Sequence, residues 1–307
     1  MTTVQKGENV YNQSQNFWDS YIKGRPSIPQ SFFDTIFAYH ASHNGSFTTA
    51  HEVGAGVGVH SPRLAARFPH VLISDIISSN IQLARTRLQS HGCYSFKTSS
   101  LEDTIDLEAG SVDLVFASTM MHFTDVDAAV RAVHHQLAPG GTFAAGLYGT
   151  YALHEGRAQE VWARIVRWIC SNIIEKYGLD DRAKQILQNE ASGLDSVGLP
   201  PELFTPAQRY DYNFPQRSTL RDMILPKQYG LETIDRVGAE DVVVKDGWDR
   251  GWCSKQGVEG LKGIASTWPH DDGDEEILGL WEELRVVVGE GEVEGGWMVS
   301  LVLASKK

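Results

Sequence analysis

The hydrophobic and polar positions change their period along the chain. Over residues 46–148, short β-type runs alternate with stretches of helical spacing. Residues 49–54 form a run that ends in glycine, and 60–68 place Leu64, Ala65 and Phe68 at helical intervals. Residues 71–77 are nearly continuous apolar sequence broken by Ser74 and Asp75, as expected of a strand covered on both faces. Ser78 and Ser79 are N-cap candidates for a helix carrying Ile81, Ala84 and Leu88, with Gly92 past its end. Residues 94–98 and 112–118 read as the third and fourth strands. Asp125 can cap a helix with Val126, Ala129, Val130, Val133 and Leu137 on one face. Pro139, Gly140 and Gly141 stop it, and 142–148 is the fifth strand. Strands alternating with such helices form βαβ units. They predict an α/β fold with a mostly parallel sheet, right-handed crossovers and helices on both faces.

After Gly149 the rhythm changes. Residues 155–177 read as one long helix with Val161, Trp162, Ile165, Trp168, Ile169 and Ile173 inward. Residues 191–217 are rich in Gly, Pro, Ser and Gln and read as a loop-bearing cap. β-type sequence returns at 241–244 and, strongly, at 296–304. The pattern divides the chain into four regions. Residues 1–45 form an N-terminal arm with lid helices, and 46–150 the sheet core. Residues 151–235 form a helical cap inserted after strand five. Residues 236–307 hold C-terminal strands that complete the sheet and a substrate-side helix.

Composition narrows the function more than the fold. Of 307 residues, 27 are Lys or Arg and 39 are Asp or Glu, a formal net charge of −12. A protein that neutralises phosphates with basic side chains should not carry this balance, so nucleic acid is not an expected partner. Residues 271–294 hold ten acidic side chains against one basic one, Arg285, and read as a solvated helix face. No window approaches the roughly 18 consecutive apolar residues of a membrane span. The polar start lacks a signal-peptide layout. Cys93, Cys170 and Cys253 lie too far apart for a zinc spacing or a disulfide framework. No His/Cys/Asp cluster has metal-ligand spacing, so no metal is expected. The composition predicts a cytoplasmic protein away from membranes and leaves monomer and homodimer equally open.

The most informative segment is Glu52-Val53-Gly54-Ala55-Gly56-Val57-Gly58, where strand one turns into helix one. Glycines there permit a tight turn and let a ligand approach bare backbone, and the helix start beyond adds free N–H groups. A dinucleotide site would want its third glycine at residue 59, which is Val59. The observed spacing suits a ligand without a pyrophosphate. Asp75 ends strand two, where a carboxylate can accept from both hydroxyls of an unmodified ribose. After strand three, Ser99, Ser100, Leu101 and Glu102 stand where an adenine would fall.

These segments resemble the class I S-adenosylmethionine-dependent methyltransferases, with their Rossmann-like sheet. The run from Glu52 to Gly58 is similar to their first motif and Asp75 to their ribose acid. Ser111-Val112-Asp113-Leu114-Val115-Phe116 with Met121-His122-Phe123 is similar to their fourth-strand motif. Leu137-Ala138-Pro139-Gly140-Gly141 resembles their turn before strand five. Phe17-Trp18 and the run Tyr21-Ile22-Lys23-Gly24-Arg25-Pro26-Ser27-Ile28-Pro29 resemble the arm of the trans-aconitate methyltransferase-like group, its fungal small-molecule members above all. Ser266-Thr267-Trp268 matches that group's late helix.

The resemblance implies S-adenosylmethionine as methyl donor and S-adenosylhomocysteine as product, in secondary metabolism. Gly54, Ala55, Gly56 and Gly58 would pack against the methionine portion, after Glu52. Asp75 would hold the ribose, Ile76 cover the adenine, and Ser100, Leu101 and Glu102 flank it. Ser118 and Thr119 would border the methionine end, with Tyr21 and Arg25 closing over donor or acceptor. The family commonly has an acid where Ser100 stands, a Trp where Phe123 stands and an Asn where Ser118 stands.

Methyl transfer from a sulfonium is an in-line displacement, and proximity can carry much of its rate. A small-molecule carboxylate acceptor, giving a trans-aconitate-like methyl ester, needs no general base because it is already ionised at pH 7. That is the favoured reading. A hydroxyl, amine or thiol acceptor would want a base, and His122 is the candidate. Arg25 could clamp a substrate carboxylate, and Trp248 and Trp268 could wall the acceptor pocket. From a different class, the same segments would also suit a non-catalytic scaffold that binds S-adenosylmethionine.

Overall fold

The computed structural model describes residues 11–88, 92–103, 107–216, 218–225 and 227–307. The first ten residues of the expected arm, and positions 217 and 226 of the expected cap, lie outside them. The arm begins with α1 (Gln15–Gly24) and α2 (Gln30–Ser42). Ser14 caps α1 by accepting from the Phe17 N–H. The alternation then follows as β1 (Thr49–Val53), α3 (Ser61–Ala65), β2 (His70–Asp75), α4 (Ser78–Leu88), β3 (Tyr94–Thr98) and β4 (Val112–Ser118). A 3-10 turn, Met121–Phe123, leads to α5 (Val126–Gln136), which Asp125 caps through the Ala128 N–H at 3.0 Å. α5 stops at Gln136, short of Pro139, as the steric bias before proline requires. The fifth strand, β5 (Leu137–Leu153), is longer than expected at both ends.

The remaining elements are α6 (Gly156–Tyr177), α7 (Asp181–Ala191), β6 (Gln208–Tyr212), α8 (Thr219–Ile224), β7 (Val242–Gly247), β8 (Cys253–Gln256), α9 (Val258–Ala265), α10 (Glu275–Val288) and β9 (Val293–Ser305). The sheet order is β3-β2-β1-β4-β5-β9-β6-β7, with β8 on β9. β1 to β5 pair in parallel, and β9 inserts antiparallel between β5 and β6. Alternate residues of β4 face opposite layers. Leu114 and Phe116 meet Phe32, Phe33 and Ile36 of α2, while Val115 and Ala117 meet Ala129, Val130 and Val133 of α5. The expected sheet with helices on both faces is therefore present.

One stretch departs from expectation. Gln208–Tyr212, inside the region read as loop-bearing cap, is a sheet strand paired with β9. Buried Arg209 holds it there. Its Nε donates to Asp241 at 2.6 Å, and its other nitrogens reach the carbonyls of Leu194 and Val197. A polar side chain on the covered face, satisfied only by distant partners, hides the strand from a hydrophobic pattern. Among the described residues no helix is long and apolar enough to cross a membrane. None of them forms a group of three or more His, Cys, Asp or Glu that could hold a metal ion.

Candidate active site

The strand order reverses between β1 and β4, and in open α/β sheets the crevice at such a switch point receives ligands. A cavity of about 490 Å³ opens there. Of the residues expected to bind the donor, it is lined by Tyr21, Glu52, Gly54, Ala55, Gly56, Asp75, Ile76, Ser100, Leu101, Glu102, Ser118 and Thr119. They come from four strand ends and the arm, so the fold brings nearly the whole expected set together.

The loop geometry explains the glycines. Gly54 and Gly56 have φ of +58° and +54°, the left-handed region that side chains disfavour. A Cβ on Gly54 would stand 2.8 Å from Met120, and one on Gly56 would stand 3.0 Å from the Trp18 ring. Gly58 needs correction. Its φ is +70°, but a Cβ there would meet Leu88 of α4 at 2.9 Å, and Gly58 does not line the cavity. It is a glycine of close helix packing rather than of ligand approach.

Asp75 organises the loop. Its Oδ2 accepts from the Gly56 N–H at 2.8 Å, and its Oδ1 accepts from the Ile77 N–H at 2.8 Å and Asn80 Nδ2 at 3.3 Å. Burial pushes its pKa up and these hydrogen bonds pull it back. Asn80 in turn accepts from Trp18 Nε1 at 3.1 Å, which ties the arm to the loop. Glu102 Oε1 accepts from the Asp125 N–H at 3.1 Å, so part of its capacity holds the start of α5. Ser118 Oγ and Thr119 Oγ1 are buried beside the Tyr148 hydroxyl and make no hydrogen bond of full geometry. Thr119, β-branched, sits at φ +52°, a strained conformation of the kind that gathers at functional sites. Beside them the Tyr148 hydroxyl meets His60 Nε2 at 2.9 Å. Burial drives the His60 ring down to about 4, so it is neutral.

Glu52 is buried, accepts from Ser61 Oγ, and leaves Oε1 without a partner. Burial pushes its carboxyl from 4.5 up to about 7, against hydrogen bonds from Ser61 and the His60 backbone. The folded protein therefore keeps a proton that the unfolded chain releases. This group's stabilising contribution is complete below about pH 4.5 and is lost as the pH rises through about 7. Glu52→Gln is expected to leave Tm unchanged near the lower pH and to raise it near pH 8. Thermal melts at the two pH values check this, and equal shifts at both would contradict it.

A second, smaller chamber of about 110 Å³ adjoins the first, and Tyr11, Phe123 and Ile186 line both. α6 and α7 supply most of its wall, including Val166, Ile173, Ile174 and Leu187. The polar side chains in its lining are Tyr11, His122, Thr150, Cys170, Tyr177, Glu190 and Trp268. His122 and Trp268 belong to this chamber rather than the first. Burial, then the nearby Arg25 charge, lowers the His122 ring to about 3. A ring so weakly basic is poorly suited to remove a proton near neutrality, which weakens the expectation of a His122 base.

Arg25 lines neither chamber but a third cavity of about 580 Å³, with Trp252 and Trp297, and its guanidinium packs behind Tyr21 of the first chamber and Trp268 of the second. Its Nη1 donates to the Tyr148 carbonyl at 3.1 Å. Its guanidinium lies 4.9 Å from the Tyr21 ring, 5.4 Å from Trp268 and 5.6 Å from Trp297. Its Nε is buried without a partner, and no ion pair joins it to a carboxylate among the described residues. Burial opposes its charge, but Tyr21, Tyr11, Tyr148 and Glu190 together raise its pKa above the ordinary value. Trp248 needs correction. It is 55% exposed, its ring lies tilted against His154 at 5.1 Å, and it lines neither chamber. An indole on the surface beyond β7 cannot wall the acceptor.

Sequence reasoning did not single out Tyr11, Asn80, Met120, Tyr148, Arg182, Ile186 or Glu190, all of which line one or both chambers. His60 and Trp18, which line the first, received no role. Only a long-range fold brings them in.

A parallel sheet closed by an antiparallel last strand, with a glycine-lined cavity at its switch point, defines the architecture of the class I methyltransferases. A methyltransferase-domain family model matches residues 51–145. A methyltransferase of Claviceps purpurea is 34% identical over 97% of this chain and 94% of its own length. Methyltransferase AacuQ of Aspergillus aculeatus is 34% identical over 98% of this chain and 96% of its own. The solved structure of an Anaeromyxobacter dehalogenans protein assigned as a type II methyltransferase shares the fold. Its TM-score is 0.56 at 19% identity, covering 92% of this chain and 96% of that one. The chain belongs to the S-adenosylmethionine-dependent methyltransferases, in the family of these fungal enzymes.

Proposed function

We propose that the first chamber holds S-adenosylmethionine and that the second presents a carboxylate oxygen of a small acceptor, giving a methyl ester. The residues fit the donor. The positive-φ glycines form a cradle that a Cβ would fill, and Ser118 Oγ, Thr119 Oγ1 and Glu52 Oε1 are buried polar atoms that make no hydrogen bond of full geometry. Asp75 would hold the ribose, Ser100, Leu101 and Glu102 would flank the base, and Ser118 and Thr119 would meet the methionine end. When bound, S-adenosylmethionine would supply a methyl activated by its sulfonium, which an acceptor oxygen would take with the C–S electron pair returning to sulfur.

The observation that carries the acceptor assignment is Arg25. A half-buried guanidinium whose Nε has no partner, and which pairs with no carboxylate among the described residues, is costly, and an anion arriving there repays the cost. A carboxylate needs no proton removed, which agrees with a His122 ring too weakly basic to serve. The largely apolar wall favours a single carboxylate on an apolar body over a small polycarboxylate.

The test is mass spectrometry after incubation with S-adenosylmethionine and a panel of monocarboxylic acids, phenols, amines and thiols. The expected product is one methyl heavier and cleaved by mild base. Arg25→Met is expected to lower kcat/KM for the acid by about 100-fold while donor affinity holds. A base-stable product would sink the carboxylate reading. Loss of donor affinity in Arg25→Met would place its charge on the donor instead.

A further inference from the structure

Glu190 projects from α7 into the second chamber, and nothing so far gives it a role. Its Oε1 lies 3.7 Å from the position a Cβ would take on Gly149 of β5. That glycine leaves room for a carboxyl group above the sheet, between Tyr148 and Thr150. Thr150 is 1% exposed, lines the same chamber, and its Oγ1 has no partner. The chamber therefore holds one carboxyl group and one orphaned hydroxyl in a largely apolar wall, and the Arg25 guanidinium packs against Trp268 of that wall. An apolar cavity of this kind has no need of either polar group for packing.

We propose that Glu190 binds the acceptor: in its protonated form it donates a hydrogen bond to one oxygen of the acceptor carboxylate, and the other oxygen is left free to take the methyl. The inference rests on the carboxylate reading above and deepens it. The second chamber becomes a site for a carboxylic acid on an apolar ring or chain, and Glu190 its specificity residue.

Charge arithmetic supports this. Two carboxylates beside a single guanidinium cannot both stay ionised in a desolvated chamber, so the pair shares one proton. Burial already pushes the free Glu190 carboxyl up to about 7, with Arg25 pulling the other way. The other groups facing it among the described residues supply no further charge. Tyr11 precedes α1, His122 lies in the turn after β4, Tyr148 in β5, and Cys170 and Tyr177 in α6. Burial keeps the Tyr11 and Tyr148 phenols and the Cys170 thiol protonated and the His122 ring neutral. α8 offers Ile224. The product ester carries no charge, so its hold on Arg25 and Glu190 weakens once the methyl has moved.

The experiment is calorimetric titration of the full chain, saturated with S-adenosylhomocysteine, with 4-methylbenzoate between about pH 5.5 and 9, where the probe stays ionised. Wild-type affinity is expected to hold below about pH 7 and to fall about tenfold per unit above it, because binding needs the Glu190 proton. Glu190→Gln, which keeps a donor and cannot ionise, is expected to bind within about threefold of the low-pH wild type and to lose the pH dependence. Glu190→Ala should bind at least about tenfold more weakly at low pH.

Absence of binding at every pH, or the same pH-independent affinity in wild type and Glu190→Gln, would overturn the proposal. So would wild-type turnover that rises through pH 7 and vanishes in Glu190→Gln, the behaviour of a general base on a hydroxyl acceptor. A base-labile methyl product alongside pH-independent binding would fail Glu190 alone. A base-stable product would fail the carboxylate reading beneath it.

Discussion

Asp75→Ala is expected to weaken S-adenosylhomocysteine binding by about a hundredfold while the protein stays folded. The carboxylate does two things at once. Its accepted hydrogen bonds from the Gly56 and Ile77 N–H groups and from Asn80 fix the glycine loop and the start of α4. Those three bonds leave acceptor capacity on its oxygens for a pair of ribose hydroxyls. Hydrogen bonds to a charged group contribute about 1.5–3 kcal/mol each, so losing two costs about 3 kcal/mol or more. Asp75→Asn keeps one acceptor oxygen and should fall between wild type and alanine. Calorimetric titration with the thioether product measures all three. Unchanged affinity in the alanine variant would put the ribose elsewhere.

Gly54→Val should be as damaging, for a steric reason. At φ +58° a β-branched residue is strained by about 1–3 kcal/mol, and its Cβ would stand 2.8 Å from Met120. Met120 follows Thr119, itself held at φ +52°, so the loop after β4 has little freedom to yield. The cavity closes from both sides, and donor affinity is expected to fall by at least about a hundredfold. Gly279→Ala is the matched control. It lies within α10, where an added methyl meets nothing within 4 Å. Donor affinity should be unchanged and Tm slightly higher, since alanine is favoured over glycine in a helix by about 0.5–1 kcal/mol. A wild-type-like Gly54→Val would mean that the loop is not part of the binding surface.

What the sequence made legible follows from distance along the chain. β1, β2 and β4 are covered on both faces, so their apolar runs stand out, and the loops that follow them carry the donor-side residues. Gly54, Gly56, Asp75, Ser100, Leu101, Ser118 and Thr119 each lie within a few positions of a strand end, and all line one cavity. β9 is readable for the same reason, since every position from Gly295 to Ala304 is buried, with β5 on one side and β8 and then β6 on the other.

Long-range partners set the limits. β6 reads as polar because its buried Arg209 is satisfied by Asp241, 32 residues away, and by the carbonyls of Leu194 and Val197. The Gly58 turn looks like part of the ligand loop until α4 is seen to fill the space above it. Trp248 was attractive as an aromatic among aromatics, but only tertiary structure separates an exposed indole from Trp268 in the chamber wall. Glu190 lies on a helix whose sequence looks solvated, and only the fold brings its carboxyl over Gly149 of β5. The first chamber is local and legible. The second is assembled from the arm, the turn after β4, α6 and α7, and only the fold reveals it.

The most direct test is a crystal structure of the chain with S-adenosylhomocysteine. The account predicts the ribose on Asp75, the adenine beside Leu101, and the sulfur at the junction of Tyr11, Phe123 and Ile186, facing the chamber that holds Glu190. A sulfur turned away from that chamber, or a ligand bound outside the glycine-lined cavity, would contradict it.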